Sequence, residues 1–424
     1  MSENVTNPGL PDIPCKVNDF GIDGIPSQGQ LNEFWDAYQP WLAERGILLY
    51  ERHREDPHQL YMPREWVSPT FSSTSSLPYG ALVYNQAQEE HRARFLYHAG
   101  SRLAFAQDAL HRDLMLKLVD NGSAEHEIYQ LILQDAPAFA KSTDFPCVLP
   151  ARALSILNTP YAYSFVVMPM WGSPVHLKDM GTLGEVLTFI KCSLTGLRYL
   201  HRNRVAHRDI CENNMVVNAY SPSLTGEEFA RCLRQFRANN ETFYALLDYY
   251  DQSLRLSQDV SLRNCRRPAQ ETWIGANPFK PADINLGEPY YNLFAFDVAA
   301  LGLLFRYYFP EAVTTLPGLA ALFDRMTDHR ISHRLTAEEA VEFLNDFTAA
   351  VTPEMLKTHI VLKLSGKAMN VTDTYWDKLS PQEQLVWGPH RTPPRPLWQR
   401  LLDRITSYQV GWVVVCFIHR VLQV

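Results

Sequence analysis

The stretch Leu197–Val217 reads LRYLHRNRVAHRDICENNMVV and sets Asn214 five positions after Asp209. On one loop, an aspartate and an asparagine at that spacing suit phosphoryl transfer. The carboxylate can orient the hydroxyl that receives phosphate. The amide can hold a hard divalent cation that neutralises phosphate charge. His207 and Arg208 directly precede the aspartate. The histidine reads as a hydrogen-bonded structural residue. The arginine either braces the loop or faces an anion. Cys211 follows two residues after Asp209. An unpaired cysteine is more often a small packing residue than a nucleophile.

Such a loop is useful only if regular elements fix both of its ends. Upstream, Val186, Phe189, Ile190, Leu194, Leu197 and Leu200 recur at helical spacing, and Thr182 with Glu185 has the spacing of a capping box. Downstream, Met215-Val216-Val217 reads as a short strand. Asp297–Phe309 is apolar nearly all round, as a buried central helix is, and Pro310 stops it. Gly318–Met326 and Ala337–Phe347 read as further helices, the second opened by a Thr336/Glu339 capping box. Earlier in the chain the patterns are β-type: ALVY from Ala81, RLAFAQ from Arg102, LMLKLV from Leu114 and FVVM from Phe165. Strands first and helices afterwards imply an α+β fold with segregated layers.

Less regular stretches flank these elements. Residues 1–29 are rich in Pro, Gly and Asn and read as a loose tail. Asn32–Tyr38 reads as a short helix with Pro40 after it, and residues 56–80 read as irregular chain. An insertion between Asn214 and Asp248 has a helical stretch near Gly226–Phe236 and reads as a solvated excursion. The segment from Tyr408 to Val424 is apolar and uncharged between Val410 and Ile418. It is far shorter than the ~20 residues of a spanning helix. It reads as a strand or helix packed on the body, with a membrane-surface contact through Trp412 and Phe417 as the alternative.

Bulk properties exclude several classes. The 424 residues carry a formal net charge of −7, which argues against a nucleic-acid partner. The hydrophobic content of 46% supports a real core. The 7 cysteines are scattered singly, so neither a disulfide framework nor a zinc site is expected. A reducing intracellular compartment, cytoplasmic or nuclear, follows as the default.

The helix, the HRD triplet, the spaced asparagine and the following apolar run together resemble the catalytic loop of eukaryotic protein kinases. The opening FW…QPWL…RG (Phe34, Trp35, Gln39, Trp41, Arg45, Gly46) resembles the divergent kinase-like proteins of fungi. The resemblance implies a bilobal fold, with a small β-rich N-lobe over about 81–170 and a larger helical C-lobe over about 171–350. An N-terminal extension covers 1–80 and a C-terminal one 351–424.

It also implies ATP and Mg2+ as cofactors and assigns site residues. Lys117 takes the place of the strand lysine that reaches the α- and β-phosphates, held by Glu125, with Glu127 as the alternative. Gly100 is what remains of the glycine-rich loop. Met168, Pro169 and Trp171 take the place of the adenine hinge, and Val216 lines the nucleotide from the strand after the loop. Met115 stands where kinases place a small residue over the adenine. Asp209 is the catalytic base, and Asn214 and Asp248 hold the metal, Asp248 within a DYY variant of the usual DFG. Asp297 matches the aspartate that ties down the catalytic loop. Arg334 matches a late arginine, and Asp283, in the nearest counterpart of an APE motif, is its expected partner.

Two departures bear on activity. Cys211 occupies the position of a lysine that helps neutralise the γ-phosphate, and most loop glycines are missing. The leading expectation is phosphate transfer to Ser or Thr of an unidentified protein. A pseudokinase scaffold is the rival, and a small-molecule kinase trails both.

Overall fold

A computed structural model of the chain describes residues 9–13, 15–19, 27–52, 59–61, 77, 79–83, 94–96, 102–135, 145–149, 155–172, 175–221, 226–246, 252–273, 278–363 and 373–422. They form an α+β, kinase-like fold of two compact units. The first comprises Met1–Phe145, Leu149–Ser173 and Val216–Thr242; the second comprises Pro146–Val148, Pro174–Met215 and Phe243–Val424.

The first unit is built on a 5-stranded antiparallel sheet. Its strands are β1 (Ile47–Leu49), β2 (Leu103–Asp108), β3 (Asp113–Asp120), β4 (Ser155–Asn158) and β5 (Tyr163–Pro169), in the order β1-β2-β3-β5-β4. Helix α1 (Gln28–Ala43) buries Phe34, Trp35, Tyr38, Trp41 and Leu42 against Leu114, Leu116, Leu118, Phe165 and Val167. Successive strand residues point to opposite faces. The face away from α1 therefore carries Met115 and Lys117 of β3, opposite Met168 and Val166 of β5 in register.

Sequence rules place the start of α1 too late and its end too early. The helix begins at Gln28 behind a Ser27/Gln30 capping box and runs through Pro40 to Ala43. An internal proline costs about 3 kcal/mol. Burying Trp41 and Leu42 beyond it returns roughly 2 kcal/mol or more per side chain, so the helix continues.

Helix α2 (Ala124–Gln134) follows β3 and is capped by Ser123. The insertion is not a solvated excursion. Its strand Ala219–Tyr220 pairs in parallel with Ala81–Leu82, and helix α4 (Gly226–Asn239) buries Phe229, Ala230, Leu233 and Phe236. Gly172 lies so close to this segment that a Cβ there would sit 2.0 Å from the Ala219 carbonyl oxygen.

The second unit is mostly helical. Helix α3 (Leu183–Arg202) opens on the expected Thr182/Glu185 box and buries the expected leucine face. Helix α5 (Leu293–Tyr308) starts four residues before Asp297, because Asn292 caps it by accepting from the Phe294 and Ala295 N–H groups. Helices α6 (Gly318–Met326) and α7 (Ala337–Thr348) follow as expected, with the Thr336/Glu339 box in place. After them come α8 (Pro353–Leu356), α9 (Pro381–Trp387), α10 (Leu397–Thr406) and α11 (Gln409–Leu422). The apolar C-terminal run is thus a helix. Trp412 is turned inward, 8% exposed, as a helix packed on the body requires, so it cannot serve the alternative membrane-surface contact; Phe417 is exposed. No helix among the described residues is long and apolar enough to cross a membrane.

Candidate functional site

Site residues in the first unit gather on the sheet face left open by α1. Lys117 is 1% exposed and its ammonium pairs with the Glu125 carboxylate of α2. Helical phase decides between the two candidate glutamates: Glu125 is buried beside Ile128, whereas Glu127 is exposed. A second cation was not expected from sequence. Arg102 Nη1 stands 3.7 Å from the other Glu125 oxygen. Its place before β2, facing the end of β3, is visible only once the strands are paired in register.

Met115 lies opposite Met168, so two methionines line the strip next to the hinge residues. The Met170 N–H donates to the Asp113 carbonyl at 3.0 Å. Trp171 is buried, its ring centroid 5.7 Å from that of Phe145. Gly172 and Val217 exchange two backbone hydrogen bonds of 2.9 Å, which sets Val216 next to the hinge strand. Gly100 lies outside the described residues.

A polar cluster supports the lysine strand from its other end. Buried Asp113 accepts from the Tyr50 hydroxyl at 2.9 Å, the Gln107 amide at 3.0 Å and the Tyr220 hydroxyl at 2.7 Å. Tyr220 comes from the insertion, so the inserted strand contributes to holding β3.

In the second unit, α3 leads through a turn to the strand Val205–Ala206, which pairs with Leu254–Arg255. The loop carrying His207, Arg208 and Asp209 follows. Asp297 is fully buried within α5. Its carboxylate accepts from the backbone N–H of His207 at 2.7 Å and of Arg208 at 2.7 Å. His201 Nε2 lies 3.0 Å away, and since a carboxylate can only accept, that nitrogen carries the proton. Arg208 has φ 69°, a left-handed backbone that a non-glycine residue keeps only where its surroundings hold it. Its Nε donates to the Glu271 carbonyl at 3.0 Å, so the arginine braces the loop. His207 Nδ1 accepts from the Asp209 N–H at 3.2 Å, the structural role expected of it.

Asp209 and Asn214 come together. The Asn214 amide nitrogen donates to the Asp209 carbonyl at 2.7 Å and to Asp209 Oδ2 at 2.9 Å. Asp209 Oδ1 is enclosed and has no hydrogen-bond partner among the described residues. With its nitrogen engaged, Asn214 retains its amide oxygen for a cation. These groups open on a cavity of about 420 Å3, also lined by Cys211, Glu212, Phe279 and Tyr308. Neither lysine nor arginine lines it among the described residues. Burial pushes the Glu212 carboxyl above its usual range, and the Tyr308 hydroxyl donates to it. Asp248 lies outside the described residues.

The expected Asp283–Arg334 pair is present at 2.9 Å, both side chains buried. Tyr291 and the Asp328 carbonyl complete the shell around the guanidinium. Nearby carboxylate and phenol groups raise the Arg334 pKa further, although burial alone would lower it.

Comparison with known proteins relates part of the chain to protein kinases. A segment of 88 residues is 34% identical to mitogen-activated protein kinase kinase kinase nsy-1 of Caenorhabditis elegans, covering 20% of this chain and 5% of that protein. A segment of 113 residues is 32% identical to mitogen-activated protein kinase kinase kinase 15 of Mus musculus and to mitogen-activated protein kinase kinase kinase 5 of Homo sapiens. It covers 25% of this chain and 8% of each relative. The chain therefore matches only a small part of the length of these relatives. No family model matches the chain.

Proposed function

We propose that the chain is an ATP- and Mg2+-dependent protein kinase that phosphorylates serine or threonine of a protein substrate. The observation that carries this reading is the Asp209 carboxylate. One oxygen is fixed by Asn214 and the other is enclosed without a partner, beside a cavity. An unsatisfied carboxylate oxygen costs stability unless something uses it. A substrate hydroxyl entering from the cavity would be oriented by the Asp209 carboxylate and would lose its proton to it.

The other residues fit the cofactor. Magnesium–ATP, when bound, supplies the phosphoryl group and the charge neutralisation that its transfer requires. Lys117, held by Glu125, faces the α- and β-phosphates. The Asn214 amide oxygen would hold the cation; Asp248, its second ligand by resemblance, lies outside the described residues. Met168 and Val216 would enclose the adenine, with a Pro169 carbonyl and a Trp171 N–H for its edge; Gly100, assigned to the phosphates by the resemblance, lies outside the described residues. The related segments belong to protein kinases by name, which supports the same reading. The Phe34–Gly46 opening further points to the divergent kinase-like proteins of fungi.

One observation favours a pseudokinase scaffold instead. Among the described residues, the cavity beside Asp209 has two carboxylates and no cation, where phosphate transfer benefits from positive charge. Nucleotide binding tests the part that both readings share. Mg-ATP at about a hundred times its Kd should stabilise the wild type by about 2.7 kcal/mol. Lys117→Met should lose that thermal shift while remaining folded by circular dichroism. A wild type that shows no shift at saturating Mg-ATP would remove the nucleotide from both readings.

A further inference from the structure

Helices α10 and α11 leave a large apolar surface uncovered. The two are joined through Ser407 and Tyr408, and α11 approaches α10 where a Cβ on Gly411 would meet the Ile405 carbonyl oxygen at 2.1 Å. One face of α11 is anchored. Trp412 and Cys416 pack with Ala269, Ile284, Tyr291 and Phe296, and His419 Nδ1 lies 3.1 Å from the Gly287 carbonyl. The opposite face, Val410, Val413, Val414, Phe417, Ile418 and Val421, is exposed. On α10 the stripe Leu397, Trp398, Leu401 and Ile405 is exposed too, with Leu397 at 79%. Soluble surfaces rarely leave so many large apolar side chains side by side without a partner.

Charge beside this surface selects the partner. Arg400 and Arg404 lie one helical turn apart on α10, both exposed and without an acidic partner among the described residues. At 100° per residue they flank the Leu397–Leu401 stripe. The one acid of α10, Asp403, is turned toward the body, where Asn285 donates to it at 3.2 Å and Arg395 stands 3.4 Å away. By sequence, α10 and α11 carry Arg400, Arg404 and Arg420 against the single acid Asp403, so the segment is basic in a chain of net charge −7. A second copy of the chain fits poorly. Two-fold pairing through this face would set its arginines among those of its partner, with no outward acid on α10 or α11 among the described residues to answer them.

We infer that α10 and α11 form a membrane-surface site for anionic lipid. Their apolar faces enter the headgroup boundary and Arg400 and Arg404 meet lipid phosphates and carboxylates. A 14-residue helix is only ~21 Å long, so α11 lies in the interface and does not span it. This inference is independent of the catalytic reading.

Co-sedimentation of the full chain with vesicles tests it. Vesicles of phosphatidylcholine mixed with phosphatidylserine should bind the wild type, and added salt should weaken the binding. Arg400→Gln/Arg404→Gln should bind about twentyfold more weakly. Leu401→Glu/Phe417→Glu should abolish binding with an unchanged Tm, because both positions are exposed. Equal binding to phosphatidylcholine alone, insensitive to salt and to the arginine changes, would overturn the anionic part. Failure of the wild type to sediment with either vesicle would overturn the site. So would a dimer in sedimentation velocity that Leu401→Glu/Phe417→Glu disperses, since a second copy would then cover the face.

Discussion

Asp297 and Asp209 lie at two ends of one short hydrogen-bonded path in the second unit, and they are treated oppositely. Asp297 is fully buried, and its two oxygens accept from two backbone amides and one imidazole. Asp209 is partly exposed, with one oxygen satisfied and the other without a partner among the described residues. A carboxylate with every bond made serves as a brace. A carboxylate oxygen left without a partner among the described residues is available to a ligand. Arg208 joins the two, its strained backbone pinned by Asp297 on one side and set beside Asp209 on the other. The left-handed residue before Asp209 thus depends on the brace behind it.

The largest effect that would sharpen this contrast comes from Asp297→Ala. Two backbone N–H groups and an imidazole would be left buried without acceptors, at about 1–3 kcal/mol each. The unfolding midpoint in urea should fall by the equivalent of about 3 kcal/mol or more. An unchanged midpoint would mean that the loop is held by something else. A comparable loss is expected from Asp283→Ala, which strands the buried Arg334 charge, at about 3–5 kcal/mol.

Cys211→Lys should leave stability nearly unchanged and act on turnover. It places a cation beside a cavity that has none among its described lining, near the Asp209 carboxylate proposed to orient the hydroxyl. Preorganised charge is usually the largest catalytic term. Turnover in a phosphotransfer assay should rise about tenfold, with little change in nucleotide affinity. No gain, with Mg-ATP binding intact, would favour the scaffold.

The smallest effect concerns Glu212. Its carboxyl is raised above the usual range by burial. Between the unfolded value and that raised value the folded state binds the extra proton, so this group makes stability fall as pH rises through that window. Glu212→Gln keeps an acceptor for the Tyr308 hydroxyl and should flatten that fall. Tm measured across the acidic range should show wild type and variant converging at low pH and separating above it.

How much of this was legible in the sequence depended on the distance over which each signal acts. The meeting of Asp209 with Asn214, the caps at Thr182 and Thr336 and the choice of Glu125 rest on spacings of a few residues, and the structure has them. The partners of Asp113 do not. Tyr220 reaches it from 107 residues away, out of an insertion that shows only polar and helical character. Arg102 reaches Glu125 only because strand register brings it there. The persistence of α1 through Pro40 shows local preference yielding to burial against a distant sheet. In α11 the composition alone could not tell which half of an apolar helix would be buried. The anchoring of Trp412 by Ile284, Tyr291 and Phe296 decides it.

The central claim is that Asp209 orients a hydroxyl for phosphate transfer, and one comparison tests it most directly. Radiolabelled Mg-ATP is supplied to wild type and to Asp209→Asn, with transfer read on the chain itself and on a serine/threonine peptide library. Asparagine retains the size and the Asn214 contact but cannot take a proton. Transfer should fall by at least about a hundredfold, while Tm and the Mg-ATP thermal shift stay at wild-type values. Transfer that is equal in both proteins, or absent from a wild type that binds Mg-ATP, would contradict the account.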